Sequence, residues 1–198
     1  IYQVRQSPVL IQGNRINYFQ QNGAGVMDVA ISLGMVTPDI NAQFNSMVDF
    51  NLIKNSRVGV RSRNINRFYA TQNIVRINRT NADILASGLE FSGINIEHCA
   101  NAQIIGNKVF RNAASGNPNS ALQTDLLGIL VENSPNALVK NSTTTRMGSG
   151  IFGYGSQHQS NFWCNTNVRS WSGIAFDNAD LTLTSNSIRT DNRWIQNL

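Results

Sequence analysis

The chain is poor in most of what ordinary folds are built from. Only 8% of its residues are aromatic and 14% are charged, and 198 residues contain four prolines and two cysteines. No long run of Ala, Leu, Glu and Lys occurs, which argues against a helical bundle. Four prolines cannot punctuate a chain of this length into ordinary turns, so asparagine and glycine must make them. Cys99 and Cys164 lie far apart, and neither sits in a CxxC or other metal-ligand spacing. That leaves one disulfide or, as expected here, two buried thiols. No run of about 18 apolar residues exists, so no membrane span is expected. No leader is visible, and the chain starts at Ile1 rather than methionine, which points to a processed or excised piece.

Asparagine is what the chain has in excess: 28 residues, about one in seven. Net charge is +5, with an isoelectric point near 9.7, and arginine supplies thirteen of the sixteen positive charges. That balance favours acidic partners such as anionic glycans. Nucleic acid is not expected, because none of the motifs of its recognition modules is present. Asn78-Arg-Thr80 and Asn141-Ser-Thr143 match the glycosylation pattern, which is short enough to recur by chance.

The asparagines recur in register with glycines. Five units begin Gly-Ile or Gly-Val and end on asparagine: 59–73, 93–107, 128–141, 150–165 and 173–186. An apolar residue usually stands three places before that asparagine: Ile104, Leu138, Phe162 and Leu183. The first and third positions after the glycine alternate inward, as in Ile94 and Ile96 or Ile129 and Val131, which is the period-two pattern of a strand. The last two spacings are 22 and 23 residues, and the longer ones hold extra segments at 78–87 and 112–125, read as loops leaving one corner. A fixed period of this size means a solenoid. Residues 1–58 are less regular: "LIQGNRI" fits one coil, "GVMDVAI" opens another, and 33–45 is read as a further loop.

In a stacked coil the same corner recurs about every 4.8 Å. A corner with positive φ accepts Gly or Asn with least strain, and stacked asparagines can bond one another. Asn14, Asn73, Asn107, Asn141, Asn165 and Asn186 are the expected ladder. The repeat over roughly residues 59–192 resembles that of the right-handed parallel β-helices of the pectate-lyase-like superfamily. The resemblance implies one all-β domain over residues 1–198, a right-handed parallel β-helix of about seven rungs, extracellular or on a cell surface. It implies no single activity, since that superfamily holds lyases, hydrolases, epimerases, tailspikes and non-catalytic surface proteins.

With the first and third positions inward, the second and fourth are expected to form one exposed face. The fourth reads Arg63, Glu97, Glu132, Tyr154 and Asp177; the second reads Arg61, Asn95, Leu130, Phe152 and Ala175. Arg61, Arg63, Glu97, Glu132, Phe152, Tyr154 and Asp177 are the candidate glycan-binding residues, since aromatic and charged groups on a flat ladder suit a sugar chain. Glu97 and Glu132, about 5 Å apart on neighbouring strands, resemble the carboxylate spacing of a retaining glycosidase; any solubilised strand face also produces that arrangement.

Arginines 57, 61, 63, 67, 76 and 79 crowd one coil and its flanks. The superfamily resemblance implies that a lyase would pair such a base with calcium-holding aspartates; no aspartate cluster accompanies them here. The paired aspartates, His-Gly and Arg-x-Lys of the polygalacturonase-like branch are also absent. "GSGIFG" at 148–153 has the G-x-G-x-x-G spacing without the strand–turn–helix setting and is read as a coil turn. His98 and His158 fall at different offsets, so no metal site and no cofactor is expected. Trp163, Trp171 and Trp194 are read as contact or loop-packing residues, with Trp163 facing out. The sequence therefore points to a structural or adhesive β-helix, with an acidic-polysaccharide lyase as the alternative. With no amphipathic capping helix at either end, self-association through the coil ends is also expected.

Overall fold

The computed structural model describes residues 2–3, 8–17, 27–34, 45–180 and 191–196. The strands, in chain order, begin with β1 (Tyr2–Gln3), β2 (Leu10–Gln12), β3 (Arg15–Asn17), β4 (Met27–Gly34), β5 (Ser46–Asp49), β6 (Leu52–Lys54), β7 (Ser56–Arg63), β8 (Phe68–Thr71) and β9 (Ile74–Ile77). A short helix, α1 (Asn81–Ser87), precedes β10 (Phe91–Glu97), β11 (Gln103–Ile105) and β12 (Lys108–Arg111). Then follow β13 (Leu126–Glu132), β14 (Leu138–Lys140), β15 (Thr143–Thr145), β16 (Ser149–Ser156), β17 (Asn161–Trp163), β18 (Thr166–Val168), β19 (Ser172–Asp180) and β20 (Arg193–Ile195).

These strands form three parallel sheets. The first has the order β1-β4-β7-β10-β13-β16-β19, the second β17-β14-β11-β8-β5-β2, and the third β20-β18-β15-β12-β9-β6-β3. From β1 to β18 successive strands enter the first, second and third sheet in turn. The chain is thus all-β, with parallel strand stacking consistent with a β-solenoid. Val60, Ile94, Ile129, Ile151 and Ile174 are partners across the first sheet. The second sheet faces them with Val48, Ala70, Ile104, Val139 and Phe162, and the third with Ile53, Val75 and Val109. The core is one continuous apolar cluster between the sheets.

The repeating glycine has a steric cause. A Cβ on Gly59 would meet the Gly93 carbonyl oxygen at 2.5 Å and Val75 Cγ1 at 2.6 Å; one on Gly93 would meet Val109 Cγ1 at 2.3 Å. The first and third sheets approach too closely there for any side chain. The same crowding explains "GSGIFG", which lies mostly in strand β16 and not in a turn: a Cβ on Gly150 would fall 1.9 Å from Asn167 Oδ1.

Between the second and third sheets a positive-φ residue recurs, and the next residue points a polar side chain inward. The pairs are Gly13–Asn14, Phe50–Asn51, Gln72–Asn73, Gly106–Asn107, Asn141–Ser142 and Cys164–Asn165. Asn14 Nδ2 donates to Asn51 Oδ1, Asn51 Nδ2 to Asn73 Oδ1, and Asn73 Nδ2 to Asn107 Oδ1, each at 3.0 Å. The Asn107 backbone N–H then donates to Ser142 Oγ, the Ser142 N–H to Asn165 Oδ1, and Asn165 Nδ2 to Asn192 Oδ1. Asn141 is therefore corrected out of the expected set. It is exposed and supplies the positive φ of 53° itself, so the inward polar place falls to Ser142. Asn51 and Asn192 belong to the series, and Asn186 lies outside the described residues.

The segment expected as a loop at 78–87 contains α1. Thr80 accepts a hydrogen bond from the Asp83 N–H, and the Asp83 carboxylate accepts one from the Thr80 N–H, a reciprocal cap that starts the helix. Residues 113–115 and 120–122 form 3₁₀ turns, and Ile84 of α1 and Leu122 are both fully buried. Cys99 is buried as expected, but Cys164 is only half-buried, with Sγ 2.9 Å from Asp191 Oδ2. Of the loop expected at 33–45, Leu33 and Gly34 belong to β4, and 35–44 lie outside the described residues.

Candidate functional site

The outer face of the first sheet carries three carboxylates and two arginines in neighbouring positions. Arg63, Glu97, Glu132, Tyr154 and Asp177 are partners strand by strand, and Arg61, Asn95, Leu130, Phe152 and Ala175 form the parallel row. The expectation that both rows are exposed is corrected. Tyr154, Arg63 and Asp177 are exposed, but Asn95 is 3% exposed, Leu130 4%, Phe152 7% and Glu97 7%. Asn95, Leu130 and Phe152 of the inner row are therefore buried, and the side bearing Arg63, Tyr154 and Asp177 is exposed.

A third row lies beside it. Val58, Ser92 and Leu127 are partners, and Leu127 packs with Leu130 and Phe152 in an apolar cluster separate from the core, with Ala175 against it. Strands β7 and β10 thus offer polar groups, while β13 and β16 offer an apolar, aromatic patch. Ser92 and Asn95 occupy on β10 the positions that Leu127 and Leu130 occupy on β13.

Glu97 holds both nearby arginines. Arg63 donates from Nε to Glu97 Oε2 at 2.5 Å and also pairs through Nη2, while Arg61 Nε stands 3.5 Å from Oε1, an ion pair without hydrogen-bond geometry. Four buried polar atoms on strands β7 and β10 of this sheet lack a hydrogen bond among the described residues: Ser56 Oγ, Arg61 Nε, Ser92 Oγ and Asn95 Oδ1.

The sequence reading missed Glu90. It precedes β10, and Arg57 reaches across to it, donating from Nη1 to the Glu90 carbonyl oxygen at 2.9 Å while its Nε pairs with Asp28 at 2.6 Å. Burial pushes the Glu90 carboxyl up from 4.5 to about 6, with Arg57 opposing and Glu132 and Glu97 adding to the rise. Burial first, and Glu97 second, also hold Glu132 above the ordinary carboxylate range. Raised carboxyls close to one another make Glu90 and Glu132 candidates for a functional site. Starting each unit at its glycine hid Glu90, because β10 begins two residues before Gly93.

The shift predicts a pH dependence. A carboxyl raised in the folded state stabilises the fold fully below its ordinary 4.5, and that contribution is lost as pH rises through about 6. Glu90→Gln should therefore flatten a loss of about 1–2 kcal/mol across that window. Urea unfolding at several pH values measures it, and parallel curves for wild type and variant would refute the shift.

Trp163 is half-buried on the outer side of the second sheet, and Trp171 and Trp194 are exposed. Of the crowded arginines, Arg76 stacks over Phe110 at 4.7 Å. Among the described residues no group of three His, Cys, Asp or Glu could hold a metal ion, and no helix is long and apolar enough to cross a membrane. Neither a protein-family model, a curated protein nor a solved structure matches this chain.

Proposed function

We propose that the chain is a right-handed parallel β-helix of about seven rungs, resembling the pectate-lyase-like repeat, that stands outside the cell or on its surface in a structural or adhesive role. In this reading the linked asparagines act as a ladder along the coil, and the protein contacts glycans through the outer face of the first sheet. The observation that carries the glycan contact is the row of exposed Arg63, Tyr154 and Asp177 along that face, an aromatic ring among charged groups. Sugar sites combine those two elements, with hydroxyls on polar groups and a C–H face on an apolar or aromatic surface. The net charge of +5 favours acidic glycans for the molecule as a whole. Affinity electrophoresis in gels containing immobilised polysaccharides tests it. Retardation that weakens several-fold in Tyr154→Ala supports the reading, and unretarded migration in every gel refutes it.

A second reading, a lyase or related enzyme acting on an acidic polysaccharide, is favoured by Glu90. A carboxyl titrating near 6 beside other carboxylates suits general acid–base work. Release of reducing ends or unsaturated product, lost in Glu90→Gln, would select it over adhesion.

Self-association through the coil ends belongs to the same proposal. Among the described residues β17, β19 and β20 each pair on one side only, and Trp194 on β20 is 54% exposed, its indole N–H donating to the Ser170 carbonyl at 3.2 Å. Sedimentation should show concentration-dependent association that Trp194→Lys weakens; a monomer at every concentration counts against it.

A further inference from the structure

The two charge signs are sorted between sheets. Among the described residues the outward positions of the third sheet carry five cations, Arg15, Lys54, Arg76, Lys108 and Arg193, and no carboxylate. The first four stand on the successive strands β3, β6, β9 and β12, one to a strand. Arg15, Lys108 and Arg193 are exposed, and Lys54 and Arg76 are half-buried. The arginines of β7 in the first sheet each have an acid: Arg57 pairs with Asp28, and Arg61 and Arg63 with Glu97. None of the five cations on the third sheet forms an ion pair.

This arrangement works against the fold. Lys54 and Arg76 are register partners, about 4.8 Å apart along the sheet, and like charges opposite one another repel. Arg76 lies over the ring of its next partner, Phe110, at 4.7 Å, and its buried Nε makes no hydrogen bond. The ring holds the guanidinium in place without neutralising it. A row of unpaired cations, one on each strand, is complementary to a chain that carries negative charge at regular intervals.

We infer that the outer face of the third sheet binds a linear acidic polysaccharide, laid along the coil so that its acidic groups meet Arg15, Lys54, Arg76 and Lys108. This goes beyond the reading above, which uses the first sheet, and stands or falls apart from it. Two features favour a sugar chain over a nucleic acid. The Phe110 ring is already occupied by Arg76, so it is not presented for a base to stack on. The surroundings offer hydroxyls and amides: Thr143 and Thr166 continue the Lys108 row, and Asn112 and Asn78 donate in series to Asn78 and Asn55 just past the strand ends.

The test is Lys54→Gln/Lys108→Gln, compared with Arg67→Gln/Lys140→Gln, which removes the same two charges from other faces. In affinity electrophoresis on polygalacturonate, alginate and chondroitin sulfate, wild type should be retarded by at least one gel, and added salt should abolish the effect. The Lys54/Lys108 variant should lose about tenfold in that affinity and melt no lower than wild type, while the Arg67/Lys140 variant should bind nearly as wild type does. Equal losses in the two variants would show that net charge acts and not this face, and would overturn the inference. Acidic retardation that falls in Tyr154→Ala but not in the Lys54/Lys108 variant would overturn it while leaving the first-sheet reading standing. Stronger retardation by single-stranded DNA than by every acidic polysaccharide would overturn the choice of partner. Retardation only by a neutral β-glucan or mannan would overturn the inference and leave the first-sheet reading, and no retardation in any gel would remove both.

Discussion

Replacing Arg111 by methionine is expected to lower the unfolding free energy by about 2–4 kcal/mol and to loosen both segments that project between the third and first sheets. Arg111 is 2% exposed at the end of β12 and has no acidic partner among the described residues. Its guanidinium instead binds acceptors on three stretches of chain. Nη2 donates to the Arg79 carbonyl at 2.7 Å, to Asn81 Oδ1 at 2.9 Å and to the Ser115 carbonyl at 2.8 Å. Nε and Nη1 reach the Arg79 and Arg146 carbonyls at 3.2 and 3.3 Å. Burial, with the nearby Arg146 adding to it, lowers its pKa to about 10, a measure of what holding a cation there costs.

Two effects oppose each other in the variant. Methionine removes the buried charge, which favours the fold. It also leaves three carbonyls and a side-chain amide oxygen without their donor, at about 1–3 kcal/mol for each that stays dry. The acceptor loss should win, because one planar group serves four acceptors and no apolar side chain replaces any of them. Arg111→Lys should recover only part, since an ammonium is a point and not a fork. Chemical denaturation measures the size. Limited proteolysis locates it, with new cleavage expected between residues 78 and 87 and between 112 and 125. A methionine variant as stable as wild type, with no new cleavage, would show that the charge penalty dominates. Because α1 leads into Glu90 and the 112–125 segment leads into β13, the same variant should weaken whatever the first sheet binds.

The repeat made the three-sheet architecture readable, because Gly-Ile units recur wherever the first sheet passes the third, and no side chain fits at Gly59, Gly93 or Gly128. The face was legible in its register but not in its burial. Alternation says which side of a strand a residue is on; it does not say whether that side is sheltered, so Asn95, Glu97 and Phe152 read as surface. Glu90 stood outside the unit as drawn. Arg111 was not singled out because a buried arginine has no periodic signal when its partners are carbonyls from 32 residues upstream and 35 downstream. The asparagine register slipped by one in a single unit for a specific reason. Two roles were assigned to one residue, positive φ and inward bonding, whereas the chain gives them to successive residues. Gly13-Asn14 and Gly106-Asn107 display the division openly, with glycine taking the strained place. At 141–142 the pair is Asn-Ser, and the asparagine takes the glycine's part.

That distinction sets the second large effect. Asn73→Ala is expected to cost about 2–4 kcal/mol, and Asn141→Ala only about 1 kcal/mol. Asn73 is fully buried, and its amide is used on both sides. Nδ2 donates to the Val48 carbonyl at 2.8 Å and to Asn107 Oδ1 at 3.0 Å, while Oδ1 accepts from both the backbone and the side chain of Asn51 at 3.0 Å. Alanine at 73 leaves the Val48 carbonyl and the Asn51 N–H without those partners, in a place too enclosed for water to replace an amide of that shape. Asn107→Ala should behave alike, since Asn107 Nδ2 donates to the Ala70 carbonyl at 2.7 Å and its Oδ1 accepts from Asn73. Asn141 contributes only its φ of 53°, with its side chain exposed. Alanine there meets a strain of about 1 kcal/mol, and Asn141→Gly should remove even that. Thermal unfolding of the four variants decides the register. If Asn141→Ala destabilises as much as Asn73→Ala, the inward place in that coil belongs to Asn141, and the hydrogen bonds drawn through Ser142 are wrong.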